Sequence, residues 1–331
     1  MPDLPTTTTG RGLPPALRRF LATESAGGIV LVVAAVVALA WANSPWSASY
    51  ASIWHDELVH KVVNDGLMSI FFFVVGLEIK RELVSGELRD RRTASLPAIA
   101  ALGGMLVPAA IYYAVNAGHA GSRGWGVPMA TDIAFAVGVV TLLGPRVPPA
   151  LKLFLLALAI VDDIGAIVVI ALFYGGGIHP AIVGVAVGLA LPVRWGERIE
   201  GRLHPLSSFV IVPVFALANA GVAMRVERVD ARVATGVVAG LVVGKIVGIT
   251  GATWLAVRAG FASLPTGATW PMIAGIGAVA GMGFTVSLFV TDLAFERAAL
   301  ADSAALAVVA ATAVAGVAGW VWLRYFGGAD A

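Results

Sequence analysis

Residues 151–173 read LKLFLLALAIVDDIGAIVVIALF, an apolar run long enough to cross a bilayer as a helix. Asp162 and Asp163 stand side by side in the middle of this run, and Asp132 lies in another apolar run. A charge at the bilayer centre costs roughly 2.5–3.5 kcal/mol on insertion scales, so three such acids require a compensating function. These aspartates are therefore the first candidates for a functional site.

The composition is that of a polytopic membrane protein whose main partner is the lipid bilayer. The 331 residues are 59% hydrophobic and only 13% charged, with a mean hydropathy of +0.89. A soluble chain of this size needs far more charge to cover its surface. The absence of cysteine excludes disulfides and thiolate metal sites, and a scattered net charge of +2 excludes a nucleic-acid surface.

The hydropathy pattern predicts an all-α fold of about ten transmembrane helices, because a spanning helix needs about 20 apolar residues. We expect a tail at 1–23, a membrane domain at 24–326 and a short tail at 327–331. The candidate spans are 24–43, 58–79, 94–117, 126–143, 150–174, 180–194, 206–224, 233–257, 271–293 and 303–326.

The loop charges predict the orientation. With the N-terminus in the cytoplasm, fifteen of the 22 Lys and Arg residues fall on the cytoplasmic side and six outside, with Lys245 inside a span. Both termini are then cytoplasmic. Ala38-Leu39-Ala40 imitates a signal-peptide cleavage site, but removing the first span would destroy this alternation of loop charge.

Two three-span units, 94–174 and 233–326, each have a middle span interrupted by Gly or Pro. Gly126 and Pro128 precede Thr131-Asp132 in the first unit, and glycines including Gly281 and Gly283 interrupt the second. The units enter the membrane from opposite sides, and discontinuous helices at matching places of inverted repeats indicate a transporter's midplane site. The alternative is that these glycines only permit close helix packing.

Lys245 is the only lysine deep within a predicted span. It lies beside Gly236, Gly240, Gly244 and Gly248, whose four-residue spacing predicts a smooth ridge for a neighbouring helix. A lysine on a tightly packed helix needs a carboxylate partner, and we expect that partner on the span at 150–174.

Five motifs spread over most of the chain carry a family resemblance. They are Gly76-Leu77-Glu78-Ile79-Lys80-Arg81-Glu82-Leu83, Ala130-Thr131-Asp132-Ile133-Ala134-Phe135-Ala136, Leu158-Ala159-Ile160-Val161-Asp162-Asp163-Ile164-Gly165-Ala166-Ile167, Phe215-Ala216-Leu217-Ala218-Asn219-Ala220-Gly221 and Gly281-Met282-Gly283-Phe284-Thr285-Val286-Ser287. Together, and in family order, they closely resemble the motifs of the bacterial NhaA sodium/proton antiporters.

The resemblance implies exchange of cytoplasmic Na+ or Li+ for external H+, serving sodium extrusion and pH homeostasis, in the bacterial plasma membrane. It implies no enzyme activity and no cofactor beyond the transported ions, and a homodimer stays open. Its implied roles are cation and proton binding by Asp132 and Asp163, and an ion pair between Asp162 and Lys245.

The same resemblance assigns several supporting positions. Thr131 lends an oxygen to the cation or caps the broken helix. Glu78 and Glu82 match a pH-sensing entrance, although pairing with interfacial cations explains them as well. Gly281, Gly283 and Phe284 mark the helix break. Outside these roles, Asn219 is expected to form a hydrogen bond between helices. His179 and His204 lie at helix ends and are expected to be exposed.

The chain departs from the family after Tyr174. Family members usually have about twelve helices, but here Gly175-Gly176-Gly177 leads directly into a segment resembling the family's eighth helix, as if two spans were missing. Two other classes therefore stay open. One is a degenerate, non-transporting paralogue. The other, an intramembrane aspartyl protease, is disfavoured because no Gly-x-Gly-Asp precedes Asp132 or Asp163.

Overall fold

The computed structural model describes residues 15–174, 179–224 and 229–328, and the regular secondary structure of these ranges is helical. The predicted Gly175–Gly177 turn lies outside the described residues. The α-helices are α1 (Pro15–Ala42), α2 (Ser47–Trp54), α3 (Glu57–Lys61), α4 (Met68–Val84), α5 (Arg91–Asn116), α6 (Ile133–Leu142), α7 (Pro149–Val169), α8 (Pro180–Ala190), α9 (Val193–Leu206), α10 (Val212–Asn219), α11 (Ala231–Val238), α12 (Lys245–Arg258), α13 (Trp270–Val279), α14 (Phe284–Ala294) and α15 (Ala298–Phe326).

Three short π-helical turns join pairs of helices into longer rods, and a fourth ends the rod that begins with α7. They are Val62–Leu67, Ile170–Tyr174, Ser207–Ile211 and Ala239–Gly244, and 3-10 turns are found at Glu87–Arg89, Ala120–Met129 and Gly144–Arg146. A π turn closes its hydrogen bonds over one more residue than an α-helical turn, and it often marks a functional position. One of these turns ends immediately before Lys245.

Within the described ranges, seven helical rods are long and apolar enough to cross a membrane. Two bent pairs, Ala120–Met129 with Ile133–Leu142 and Trp270–Val279 with Phe284–Ala294, bring this number to nine. The expectation of ten counts Pro180–Ala190, which has 11 residues and is shorter than a full span. Outward apolar residues such as Ile29, Val33 and Val36 suit contact with lipid.

Several predicted boundaries were displaced, including the start of the last span, at Ala298 rather than 303, and the end of the second, at Val84 rather than 79. The first helix begins at Pro15 rather than near 24. The sixth ends at Ala190, because Pro192 interrupts the helix after Leu191. The seventh begins at Val193 rather than at 206, because α9 is an amphipathic helix whose polar residues hid it from a hydropathy reading.

Glycine allows two helix pairs to approach closely. A Cβ on Gly184 would lie 2.3 Å from the carbonyl oxygen of Ser69, which fixes α8 against α4. A Cβ on Gly248 would lie 2.2 Å from the carbonyl oxygen of Gly103, which fixes α12 against α5. The predicted glycine ridge at 236, 240, 244 and 248 therefore faces α5, with Pro108 and Tyr112 against its other members.

Tyr50 anchors the short helix α2 to the end of α10. Its hydroxyl donates to the carbonyl oxygen of Leu217 at 2.7 Å and accepts from the N–H of Gly221 at 3.2 Å. Burial raises the pKa of Tyr50 to about 12, so the hydroxyl stays protonated and remains a donor at physiological pH.

Candidate functional site: a carboxylate cavity at two crossing helix breaks

The two broken helices cross at their breaks. The N–H of Asp132 donates to the carbonyl oxygen of Met282 at 2.6 Å, joining the extended segment before α6 to the break between α13 and α14. A Cβ on Gly281 would lie 2.4 Å from the carbonyl oxygen of Leu241, and one on Gly283 would lie 2.8 Å from that of Ala130. Both glycines are therefore needed for backbones to meet here. Phe284 is the first residue of α14.

Asp132 lies between the N-termini of two helices. As the N-cap of α6 it accepts from the N–H of Phe135 at 3.3 Å, and its other oxygen accepts from the N–H of Thr285 at 3.0 Å, near the start of α14. The Thr285 hydroxyl donates to the same oxygen. Unpaired N–H groups at a helix N-terminus attract negative charge, so the helix breaks provide part of the solvation that a buried carboxylate needs.

Asp162 and Lys245 form a fully buried ion pair. Lys245 Nζ lies 2.6 Å from Asp162 Oδ2, and both side chains are 0% exposed. Thr131 completes the group, since its hydroxyl lies 2.6 Å from Asp162 Oδ2, 2.9 Å from the Ala280 carbonyl oxygen and 3.0 Å from Lys245 Nζ. A hydroxyl has one hydrogen, so Thr131 donates to Asp162 or Ala280 while accepting from Lys245. This network directs the Thr131 hydroxyl to the ion pair.

Asp163 points elsewhere. Successive residues of an α-helix differ by about 100° in direction, so Asp162 can face Lys245 on α12 while Asp163 faces a cavity. Asp163 and Asp132 both line this cavity, which has a volume of about 70 Å³ and room for a few water molecules. Among the described residues, nothing donates a hydrogen bond to the Asp163 carboxylate. Its oxygens are thus free to bind an ion.

The cavity is bounded on one side by a polar cluster that leads to the arginine-rich end of the molecule, which we define by Arg81, Arg194, Arg198 and Arg202. Glu24, Glu78 and His204 line the cavity together with Ser207 and Ser208. His204 Nε2 lies 2.8 Å from Glu24 Oε1.

The predicted entrance residues belong to the same cluster. Arg81 lies 3.7 Å from Glu78 and 3.2 Å from Glu82, and it also contacts Glu200 of α9. Glu78 borders the cavity, whereas Glu82 is not among the lining residues and contacts Arg81. Both acids therefore pair with a cation, and Glu78 also shares the cavity with Asp163.

Three phenylalanines pack together beyond the cavity lining, on the side away from the arginine-rich end; Phe215 and Phe289 each follow a lining residue, Val212 and Val286, by three positions. Phe72, Phe215 and Phe289 are at most 2% exposed, with ring centroids 5.2 Å apart for Phe72 and Phe289 and 6.4 Å apart for Phe215 and Phe289. We call these three residues the phenylalanine layer. A hydrated ion cannot cross such an apolar layer without its opening.

Sequence reasoning missed or misjudged several of these residues. The side chain of His204, expected to be exposed, is only 14% exposed because it contacts Glu24, and that of His179 is 16% exposed because it packs on Phe289. Thr285 stood within a quoted motif but received no role. Glu24 and Glu200 gave only a weak signal, as acids within or beside apolar spans. Asn219 does make the expected inter-helix hydrogen bond, to Asn64 at 2.9 Å.

Comparison with known proteins assigns the family. The model of the family Na+/H+ antiporter 1 matches residues 18–176 and 175–323, nearly the whole chain. The chain belongs to this family. A Frankia alni protein described as Na(+)/H(+) antiporter NhaA 3 is 40% identical over 413 aligned positions, covering 95% of this chain and 89% of that protein.

Other relatives agree with this assignment to the antiporter family. A Myxococcus xanthus protein described as Na(+)/H(+) antiporter NhaA 2 is 42% identical, with 86% of this chain and 83% of that protein covered. A Bordetella parapertussis protein described as Na(+)/H(+) antiporter NhaA is 40% identical over 400 positions, covering 99% of this chain and all of that protein. The all-helical polytopic fold with two broken helices is thus the fold of a family member.

Proposed function

We propose that this antiporter exchanges Na+ or Li+ for H+ by competition at Asp132 and Asp163. The observation that carries the proposal is that these two carboxylates line one cavity at the crossing helix breaks, while the adjacent Asp162 is neutralised by Lys245. Two carboxylates free of a cation remain available to the transported ion.

Competition follows from the chemistry of the oxygens. Na+ is a hard cation that prefers oxygen ligands, and a poorly solvated carboxylate binds either a proton or a metal cation to offset its charge. Asp132 is held in place by three donors, whereas Asp163 is not. Asp163 therefore changes partner most easily, with Asp132 supplying a second oxygen ligand. The Thr131 hydroxyl is a further candidate ligand when it leaves the ion pair.

The direction of exchange rests on the orientation. The excess of Lys and Arg on one side supports a plasma-membrane topology with the arginine-rich end and both termini in the cytoplasm. Glu24, Glu78 and His204 line the cavity towards that end, while the phenylalanine layer lies beyond its opposite side. We infer a state that faces the cytoplasm, from which Na+ enters and H+ leaves.

We propose that the polar cluster beside the cavity, which includes the predicted entrance residues Glu78 and Glu82, is a pH sensor. Glu78, Glu82 and Glu200 share one cation, Arg81, and His204 pairs with Glu24. Protonation of any acid or of the imidazole changes the net charge at the mouth of the cavity, and with it the local concentration of Na+.

We further propose that the inverted units 94–174 and 233–326 form the site, and that a segment present in relatives is absent between Tyr174 and His179. The two matched parts of the family model meet at residues 175 and 176, and the aligned regions are longer than this chain. The site residues lie on both sides of this junction and still meet, which supports retained transport.

The test is sodium-driven proton movement in proteoliposomes containing purified protein. Asp132→Asn and Asp163→Asn should each abolish it, because each removes a charge that the cation requires, while the protein still inserts and purifies normally. Asp302→Asn, at an exposed acid on α15, is the matched control and should keep normal flux. Normal flux in either cavity variant contradicts the proposal, and absent flux in a well-inserted wild-type protein indicates a non-transporting paralogue.

A further inference from the structure

A polar cluster lies beyond the phenylalanine layer, at the end of the molecule opposite to the arginines. It consists of His60 on α3, Asn64 in the following π turn, Asn219 at the end of α10 and Asp292 on α14. We call these four residues the outer cluster. They come from three separate rods, so their contacts hold those rods together.

Each member contacts at least one other. His60 Nε2 lies 3.3 Å from Asp292 Oδ1. Asn64 Nδ2 lies 3.0 Å from Asp292 Oδ2, 3.2 Å from Asn219 Oδ1 and 3.0 Å from His60 Nε2. Asn219 Nδ2 donates to Asn64 Oδ1 at 2.9 Å.

These contacts cannot all be made at once. The Asn64 amide has two hydrogens but three neighbours that can accept them. A neutral imidazole either accepts from Asn64 or gives Asp292 an uncharged hydrogen bond. A protonated imidazole donates to Asp292, adds an ion pair, and leaves both hydrogens of Asn64 for Asp292 and Asn219. A neutral imidazole with its hydrogen on Nε2 gives the same pattern with an uncharged bond, so protonation of His60 adds the ion pair with Asp292 and excludes the tautomer that competes for Asn64.

The outer cluster is accessible to water but connected to the ion site. The side chains of His60 and Asp292 are 44% and 33% exposed. On α14, Asp292 follows Thr285 by seven residues, which places both on one face about 10.5 Å apart. Thr285 binds Asp132, and Phe289 of the phenylalanine layer lies between them on the same helix. The cluster thus fixes the helix that carries both the layer and a ligand of Asp132.

We propose that the outer cluster is an external proton-binding site, with His60 as the acceptor and Asp292 as its partner, which holds the outer side closed when His60 is protonated. The proposal rests on the proposed function, which puts the arginine-rich end in the cytoplasm and therefore the outer cluster on the external side. A proton arriving from outside would then favour the state that faces the cytoplasm, in which the antiporter releases protons.

Other charged groups surround the cluster and define the controls. Glu57 and Lys61 pair with each other on the exposed side of α3, and Asp56 caps that helix. Asp65 follows Asn64 and lies 3.6 Å from His179, a second imidazole at this end and the competing source of a pH effect. Further titratable groups at this end are His55, His119, Asp230, Glu296 and Asp302.

Because the chain contains no cysteine, a single introduced cysteine can report when the outer side opens. Leu288 is 2% exposed and lies between Thr285 and Asp292 on α14, so Leu288→Cys should react with a membrane-impermeant maleimide from outside only when the outer side opens. Labelling is measured in right-side-out vesicles at external pH of about 5.5 and about 8.5, which bracket the titration of imidazole, with internal pH fixed. Rates are divided by that of the exposed Ser52→Cys, because thiolate itself increases with pH.

The normalised rate should be roughly two- to fivefold higher at the higher pH, the size expected for a partly exposed ion pair. Asp292→Asn, added to the Leu288→Cys variant, should give the high rate at both pH values. Glu296→Gln, which changes an outer acid that is 93% exposed, should leave the pH dependence intact. His179→Gln should also leave it intact.

Two outcomes overturn the inference alone: a pH dependence that survives Asp292→Asn, or one that is lost with His179→Gln. A Ser52→Cys that is labelled only from the cytoplasmic side overturns the orientation in the proposed function and this inference with it. The labelling needs no sodium flux, so failure of transport does not affect the result.

Discussion

At the scale of single residues, the site depends on which of the three aspartates pairs with Lys245. Lys245 neutralises Asp162, and helix geometry turns Asp163 away from it. The acids themselves, and the need of Lys245 for a partner, could be predicted from the sequence, because charges in apolar spans are conspicuous. Glu24 and Thr285 could not, since their roles arise from which helix lies opposite.

The ion pair leads to a prediction on stability. Lys245→Ala should destabilise the protein by about 3–5 kcal/mol, because Asp162 is left buried without its cation. Thermal unfolding in detergent measures the effect. Adding Asp162→Ala to the lysine variant should recover part of the loss, since the unpaired charge is then removed. An unchanged melting temperature in Lys245→Ala would show that the pair adds nothing to stability.

At the scale of helices, the crossing of the two breaks decides where the site forms. The sequence predicted both interruptions because Gly and Pro stand out in apolar spans, and it predicted the glycine ridge from its four-residue spacing. It did not predict the Asp132–Met282 backbone contact, which depends on the tertiary approach of α6 and α14. It also missed the start of α9, where polar residues concealed a helix.

Two glycines provide a matched test of the crossing. Gly281→Ala should impair both sodium transport and thermal stability, because its Cβ would lie 2.4 Å from the Leu241 carbonyl oxygen and force the backbones apart. Gly251→Ala on α12 meets nothing within 4 Å and should stabilise the helix by up to about 1 kcal/mol. Proteoliposome flux and melting temperature are compared for both. Equal behaviour of the two variants would contradict a steric requirement at the crossing.

At the scale of the whole molecule, the chain is an antiporter whose carboxylate cavity has a polar cluster on one side and the phenylalanine layer beyond the other. The family was predicted from five long motifs in order and the all-helical fold from the hydropathy pattern, and comparison with known proteins confirmed both. The phenylalanine layer could not be predicted, since it depends on how Phe72, Phe215 and Phe289 meet from three helices.

An ion that binds the folded state should stabilise the whole protein. At about one hundred times its dissociation constant, Na+ should add about 2.7 kcal/mol to the free energy of unfolding, whereas K+ at the same ionic strength should add much less. Melting curves in detergent measure the shift. Asp163→Asn should lose the difference between the two ions, and a retained difference would place the binding site elsewhere.

The shared face of α14 has a thermodynamic consequence. If a proton on His60 alters the affinity of the central site for sodium, then sodium must alter the proton affinity of His60 by the same factor, because linkage between two equilibrium sites is reciprocal. The imidazole would therefore report cargo occupancy across the phenylalanine layer. A nuclear magnetic resonance titration of His60, with and without sodium, would measure in one number the free energy that couples the two sides of the membrane.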